Sequence, residues 1–561
     1  MGFPAKTADS KIFKIAFAIF SLLVILFIGG DLTIHNQGGY LILFSLIYVL
    51  IPGLLLISAI DKDFFKRYKG LTPVIAFYSG FTLLIFQYYA LNALGLLSLI
   101  KFTPVLIAIL LFIPGRRNLK EIIPKTEKKK LLDDSVPYLL LTAILMTISY
   151  VVMTDSVPDQ TSILHIDYSY HMGNVNILTR AGSLEDTRIM GMTFKYHYFA
   201  DLYYAILRLI FPAGIWNCVL RYHILFIPLL VGSSIFSFIR SKTGKTLPSF
   251  IVTLLIILCP SLIPAITKFS VYNLTNSNGV GFALSLTIAV ASLLIQSSDE
   301  SSTCYSDLII LFLLTLCLAG TKGPFALTLT GAMLIFTIYC AIDKRKISRY
   351  QIAAFITIAS AFAIIWFTLL NVAVNDQNIE NSGTGLLKYF NYQIQLPDGL
   401  FSQAQLSDTK FAILLVPFAL LCTFSGAAIP LMILVPVLLA DQFLHKVQKR
   451  DYTTVFAAIC SCIGIGGAYL LAVDYNRIYF LMLAVPFFYF AAFGFFEMAR
   501  SAKKKVLTIL TVIVMVISGL FTCFSVVNSV LTPEKIAGFE LLTQEELDAI
   551  SWIKENTNRA G

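Results

Sequence analysis

This sequence predicts an all-α, polytopic membrane helical bundle of about 15 transmembrane helices with extracytoplasmic interfacial helices. Three observations carry that expectation. Hydrophobic residues make up 57% of the 561-residue chain and charged residues 13%, with a mean hydropathy of +0.80; a soluble domain carries about twice that charge fraction. Apolar runs of roughly 18–25 residues recur, each long enough to cross a hydrocarbon core of about 30 Å. The positive charges gather in short connectors between these runs.

The runs cover 12–30, 39–60, 71–92, 95–114, 136–154, 217–239, 248–268, 279–296, 307–320, 323–341, 351–371, 411–441, 453–473, 478–498 and 505–527. The first follows Lys6, Lys11 and Lys14, as a signal peptide's apolar region would. It is long and has no small-residue cleavage site, so a retained first helix is expected. With the N-terminus in the cytoplasm, the basic connectors 61–70, 116–130, 239–245, 343–349, 445–450 and 500–505 all fall on the cytoplasmic side. That is the distribution the positive-inside rule produces. The net charge of +10 is therefore topological, and no nucleic-acid partner is expected.

Residues 411–441 are long for one helix and short for two. The parity set by Lys446, Lys449 and Arg450 favours one crossing, bent or re-entrant at Pro417, Gly426, Pro430 or Pro436. The nine cysteines lie mostly inside apolar runs, without a CxxC pair or Cys/His ligand spacing, and read as small buried hydrophobes.

On the opposite side three segments are too large for tight turns: 155–216, 372–409 and the tail from 528. Within the first, 165–182 and 196–211 have helical periodicity but are too short or too polar to span, and are expected to lie in the membrane interface. The tail begins a helix at a capping box, Thr543 with Glu546. The expected organisation is 1–131 as N-terminal transmembrane helices, appended as a module, 132–527 as the main transmembrane unit and 528–561 as a short extracytoplasmic segment.

The scarce polar chemistry is concentrated in "HIDYSYHMGNVNILTRAG", 165–182. Asp167 and His171 stand four apart and share a helix face. Asp159 and His165 precede them, and His197 opens the next helix in "KYHY". A carboxylate beside histidines suits a general base; the same set, Asp167 and His171 above all, also suits a divalent metal. The plain alternative is that these groups anchor surface helices to headgroups and water. Lys322, in "GTKGP", lies in an outer turn, where it neutralises a phosphate or snorkels. Arg477, in "DYNRIYF", opens a late span; it grips phosphate oxygens or pairs with Asp474. Arg221 and His223 at the start of the sixth span read as interface anchors. Lys388 with "FNYQ" in the second outer loop, and the glycosylation sequon at 273–275, are weaker signals.

The acid/histidine cluster, Lys322 and Arg477 come from remote parts of the chain yet all fall on the outer side. One base and two cations at a lipid surface describe transfer of a group from a lipid-phosphate donor. Outer-loop "HIDYSYH" followed by "YHYFADLYYAIL", "TKGP" between paired spans, "NRIYFLMLAVP" and the ending "EELDAISWIKENT" together resemble the GT-C superfamily of integral-membrane glycosyltransferases, over roughly 155–500. That resemblance implies a polyprenyl-phosphate-linked sugar donor, an acceptor glycan, lipid or protein, and inversion at the anomeric carbon. It implies Asp167 as the catalytic carboxylate, Asp159 in reserve, with Lys322 and Arg477 around the lipid phosphate and His165, His171 and His197 lining the substrate site. Some members use a divalent metal and others none. Two departures stand out: extra spans precede the loop-bearing helix, and the acid sits in an HxD setting. A transporter or flippase, which needs ionisable groups or broken helices near the midplane, and a glycan polymerase or ligase of the cell envelope are the rival expectations.

Overall fold

The computed structural model describes residues 18–31, 38–68, 70–119, 128–156, 162–163, 166–180, 194, 197–257, 278–296, 304–370, 451–470, 477–501 and 540–541, with scattered positions between 506 and 552. The span expected at 411–441, the outer loop 372–409 and the sequon lie outside the described residues. Within them the chain is helical apart from one two-residue antiparallel pair, β1 (Ser162–Ile163) with β2 (Glu540–Leu541). That pair ties the C-terminal segment to the first large loop.

In chain order the helices are α1 (Ala18–Asp31), α2 (Gly39–Ile60), α3 (Thr72–Ala93), α4 (Thr103–Leu119), α5 (Lys128–Ser156), α6 (Ile166–Leu178), α7 (Phe199–Ile210) and α8 (Asn217–Thr243). They continue as α9 (Thr246–Ile257), α10 (Asn278–Gln296), α11 (Ser306–Thr321), α12 (Gly323–Lys344), α13 (Arg349–Leu370), α14 (Tyr452–Leu470) and α15 (Arg477–Ser501). Five of them, α2, α3, α8, α12 and α13, are long and apolar enough to cross a membrane; several others are shorter apolar helices.

One buried cluster holds the bundle together, and it runs from Leu41 to Phe495. Residues 41–100, from the expected N-terminal module, lie in the same core as α7, α8 and α10–α15. Gly53 and Gly80 show how closely α2 and α3 approach. A Cβ on either would collide with the other helix's backbone, at Ala76 and Val49 respectively. Small residues that let backbones touch are the usual means of packing helices in lipid, where apolar burial drives nothing.

At the heart of the fold is α7. The sequence placed it in the membrane interface; instead every residue from Phe199 to Leu207 is buried. Its two charged residues, Asp201 and Arg208, stand seven apart on one face, and both are met from α6, Asp201 by His171 and Asn174 and Arg208 by Asn176, so the helix can be buried without stranding a charge. Tyr203 is ringed by Phe44, Phe77, Phe81, Phe226 and Phe282 and meets Ser45 Oγ at 2.7 Å. Two π-helical stretches, Phe44–Leu50 in α2 and Asn217–Tyr222 in α8, flank this core; such irregular turns are frequent at functional sites.

The connectors collect at two ends, as the alternation of spans requires. At one end Arg67 bridges Asp61 and Asp307, Tyr452 donates to Asp343 at 2.7 Å, and Lys245 pairs with Glu497. At the other, Tyr88 at the end of α3 donates to the Leu178 carbonyl at 2.8 Å. Lys322 there meets His197. Connectors expected on the same side thus meet one another.

Candidate functional site

The second end contains the polar groups. Helix α6 turns His171, Asn174, Val175, Ile177 and Leu178 inward, while Asn176 and Arg180 face out. His171 and Asn174, three apart on one face, both reach Asp201 in the first turn of α7. Nδ1 of His171 lies 2.9 and 3.0 Å from the two carboxylate oxygens, and Asn174 Nδ2 donates at 2.8 Å. All three are buried, Asp201 with 1% of its surface exposed.

Lys322 separates α11 from α12. Its backbone is extended, φ −159° and ψ 97°, capping one helix and opening the other; Pro324, with no N–H to satisfy, sits in the first turn of α12. The preceding Gly320 packs so tightly on Phe199 that a Cβ there would collide with the ring. This contact sets the end of α11 against the start of α7, and so brings the Lys322 ammonium 2.9 Å from His197 Nε2. The ammonium also lies 3.6 Å from the centroid of the Tyr479 ring, an arrangement that stabilises a desolvated cation. Lys322 is fully buried.

Enclosure by protein, then the Lys322 ammonium and then the His171 ring hold His197 well below the usual imidazole range. A neutral ring is consistent with Nε2 accepting from Lys322. The start of α7 is fixed further by Tyr198, whose hydroxyl lies 2.5 Å from that of Tyr89 and whose ring stacks on Phe194.

Of the residues expected at the site, His171, His197 and Lys322 are therefore brought together. Asp167 lies on α6, four residues before His171, and Arg477 opens α15, two residues before Tyr479; their side chains are outside the described residues. Asp159 and His165 are also outside. His223, expected at the interface, is instead buried in the core with Nδ1 2.8 Å from the Tyr204 hydroxyl; Arg221 donates to Asn217 Oδ1. Among the described residues no group of three or more His, Cys, Asp or Glu is arranged to hold a metal. Cys218, Cys304, Cys317, Cys340, Cys460 and Cys462 are free thiols.

Three contributors escaped the sequence reading: Asn174, Asp201 and Tyr479. Asp201 had a legible signal, being the lone carboxylate in an otherwise apolar helix, where it must find a partner. Tyr479 had none, since nothing local marks an aromatic ring as the bed for a distant lysine. No protein-family model matches the chain, and no curated protein matches it.

Proposed function

We propose that this chain is an integral-membrane glycosyltransferase that moves a sugar from a polyprenyl-phosphate donor to an extracytoplasmic acceptor, with its N-terminus cytoplasmic and its C-terminus outside. The observation that supports this reading is the meeting of Lys322 with His197 and Tyr479. It joins the first large loop, the α11–α12 break and the start of α15 at one end of the bundle. A buried ammonium beside an imidazole and an aromatic face is a group that stabilises an anionic oxygen brought to it, and the phosphate of a lipid-linked donor is an anion a membrane supplies. Arg477 opens the helix that carries Tyr479 and is assigned as the second cation for the donor phosphate. Asp167, in the first turn of α6, supplies the catalytic carboxylate, with Asp159 in reserve.

The test is transfer from radiolabelled undecaprenyl-phosphate mannose and glucose by membranes containing the full chain, with a cell-envelope fraction as acceptor. The wild type transfers label, and Asp167→Asn loses at least about 10³-fold in rate while reaching the membrane normally. Wild-type turnover by that variant removes Asp167 from the chemistry. Labelling of a cysteine at position 167 only from the cytoplasmic side removes the reading altogether.

A transporter or lipid flippase is the second reading. The burial of Asp201, His171 and Lys322 within a helical bundle, beside the break between α11 and α12, favours it. Label that crosses sealed vesicles without joining an acceptor decides for it.

A further inference from the structure

We infer that the base of the proposed transfer is the His171 imidazole, held in its working tautomer by Asp201; the inference rests on the glycosyltransferase reading above. Both Asp201 oxygens lie within hydrogen-bond distance of Nδ1. A carboxylate only accepts, so Nδ1 carries a proton, and in the neutral ring Nε2 then presents its lone pair. Asn174 donates to the same carboxylate and fixes its plane from the neighbouring turn of α6. Among the described residues no hydrogen bond is made to Nε2 of His171.

The neighbouring histidines are otherwise engaged. His197 has Nε2 on the Lys322 ammonium at 2.9 Å, and His223 faces Tyr204 in the core. With Nδ1 of His171 on Asp201, Nε2 is the nitrogen left to take a substrate proton. Protonation there places an imidazolium against the Asp201 carboxylate, which stabilises it without taking the proton.

The step balances as follows. The acceptor's hydroxyl proton passes to Nε2 of His171 as its oxygen bonds the anomeric carbon. The bond from that carbon to the phosphate oxygen breaks, and its electron pair leaves with polyprenyl phosphate beside Lys322. Asp167, one turn before His171, then takes no proton; its charge opposes the positive charge that develops on the sugar ring. Asp201 is a positioning residue, and His171 the group that touches substrate.

The transfer assay above tests this with three variants. His171→Gln lowers kcat by about 10²–10⁴-fold with KM for the donor nearly unchanged. Asp201→Asn, whose amide donates to Nδ1 and reverses the tautomer, lowers kcat by about 10²-fold or more, and Asp201→Glu recovers part of the loss. His171→Ala, if it remains monodisperse in detergent, regains rate when free imidazole is added. Wild-type transfer that His171→Gln and Asp201→Asn leave intact overturns the assignment alone. A deficit in His171→Gln that disappears at raised Mn²⁺, with wild-type transfer abolished by chelator, makes His171 a metal ligand and also overturns it. Wild-type membranes that transfer neither sugar overturn the glycosyltransferase reading and this assignment with it.

Discussion

Each end of the bundle holds a cation, Arg67 with 16% of its side chain exposed and Lys322 buried, and the two are held in different company. Arg67 lies between Asp61 and Asp307, 2.6 Å from the latter, with Tyr68 donating to Asp307 and Ser306 to Asp61. Lys322 is met by the His197 imidazole and the Tyr479 ring. Both partners of Arg67 are carboxylates, which neutralise the charge they hold; at Lys322 an imidazole and an aromatic face orient the ammonium. Arg67 therefore fastens the connector after α2 to the start of α11, and its role ends there. The two cations thus differ in partners as well as in exposure.

That contrast can be broken most decisively at Lys322. Substitution by Gln is expected to lower kcat/KM for the donor by about 10²–10³-fold in the transfer assay. Unchanged transfer would make Lys322 a scaffold residue like Arg67. Arg67→Met has the opposite signature. It strands two buried carboxylates and costs on the order of 3 kcal/mol of stability, read as a lower melting temperature in detergent, with donor KM unaffected. The exposed pair Lys245–Glu497, whose side chains are 43% and 29% accessible, gives the smallest effect. Lys245→Ala should change stability by less than about 0.5 kcal/mol, and less again at high salt.

Much of the architecture was legible because lipid imposes a simple code. Length, apolar continuity and the placement of Lys and Arg located the helices from α1 to α15 and sorted their connectors onto two ends. Helix α7 shows where that code failed. Its 12 residues are too few to span, and an interface position seemed to follow. With Asp201 and Arg208 partnered from α6, it was drawn instead into the protein interior among α3, α6, α10 and α11. His223 was misplaced for a related reason: a histidine near a helix end looks like an anchor until the Tyr204 that receives it is known.

At the candidate site, His171, His197 and Lys322 were found from local signals: a polar cluster in an oily chain and a lysine in a Gly/Pro break. Asp201 was passed over because its partners lie 30 and 27 positions away in sequence. Helical spacing predicts neighbours within four residues and is silent beyond them.

The sequence by itself determined that the chain is helical, that some of its helices are long and apolar enough to cross a membrane, and where along the chain they lie, though not their ends: the helix expected from 95 begins at Thr103. Only the tertiary structure decided that α7 is core, that His171 belongs to Asp201, and that Lys322 rests on Tyr479. The division has a physical cause. Hydrophobicity and helical period act over a turn or a span and leave their record in neighbouring residues, whereas a pairing between distant side chains exists only once packing has brought their helices into contact.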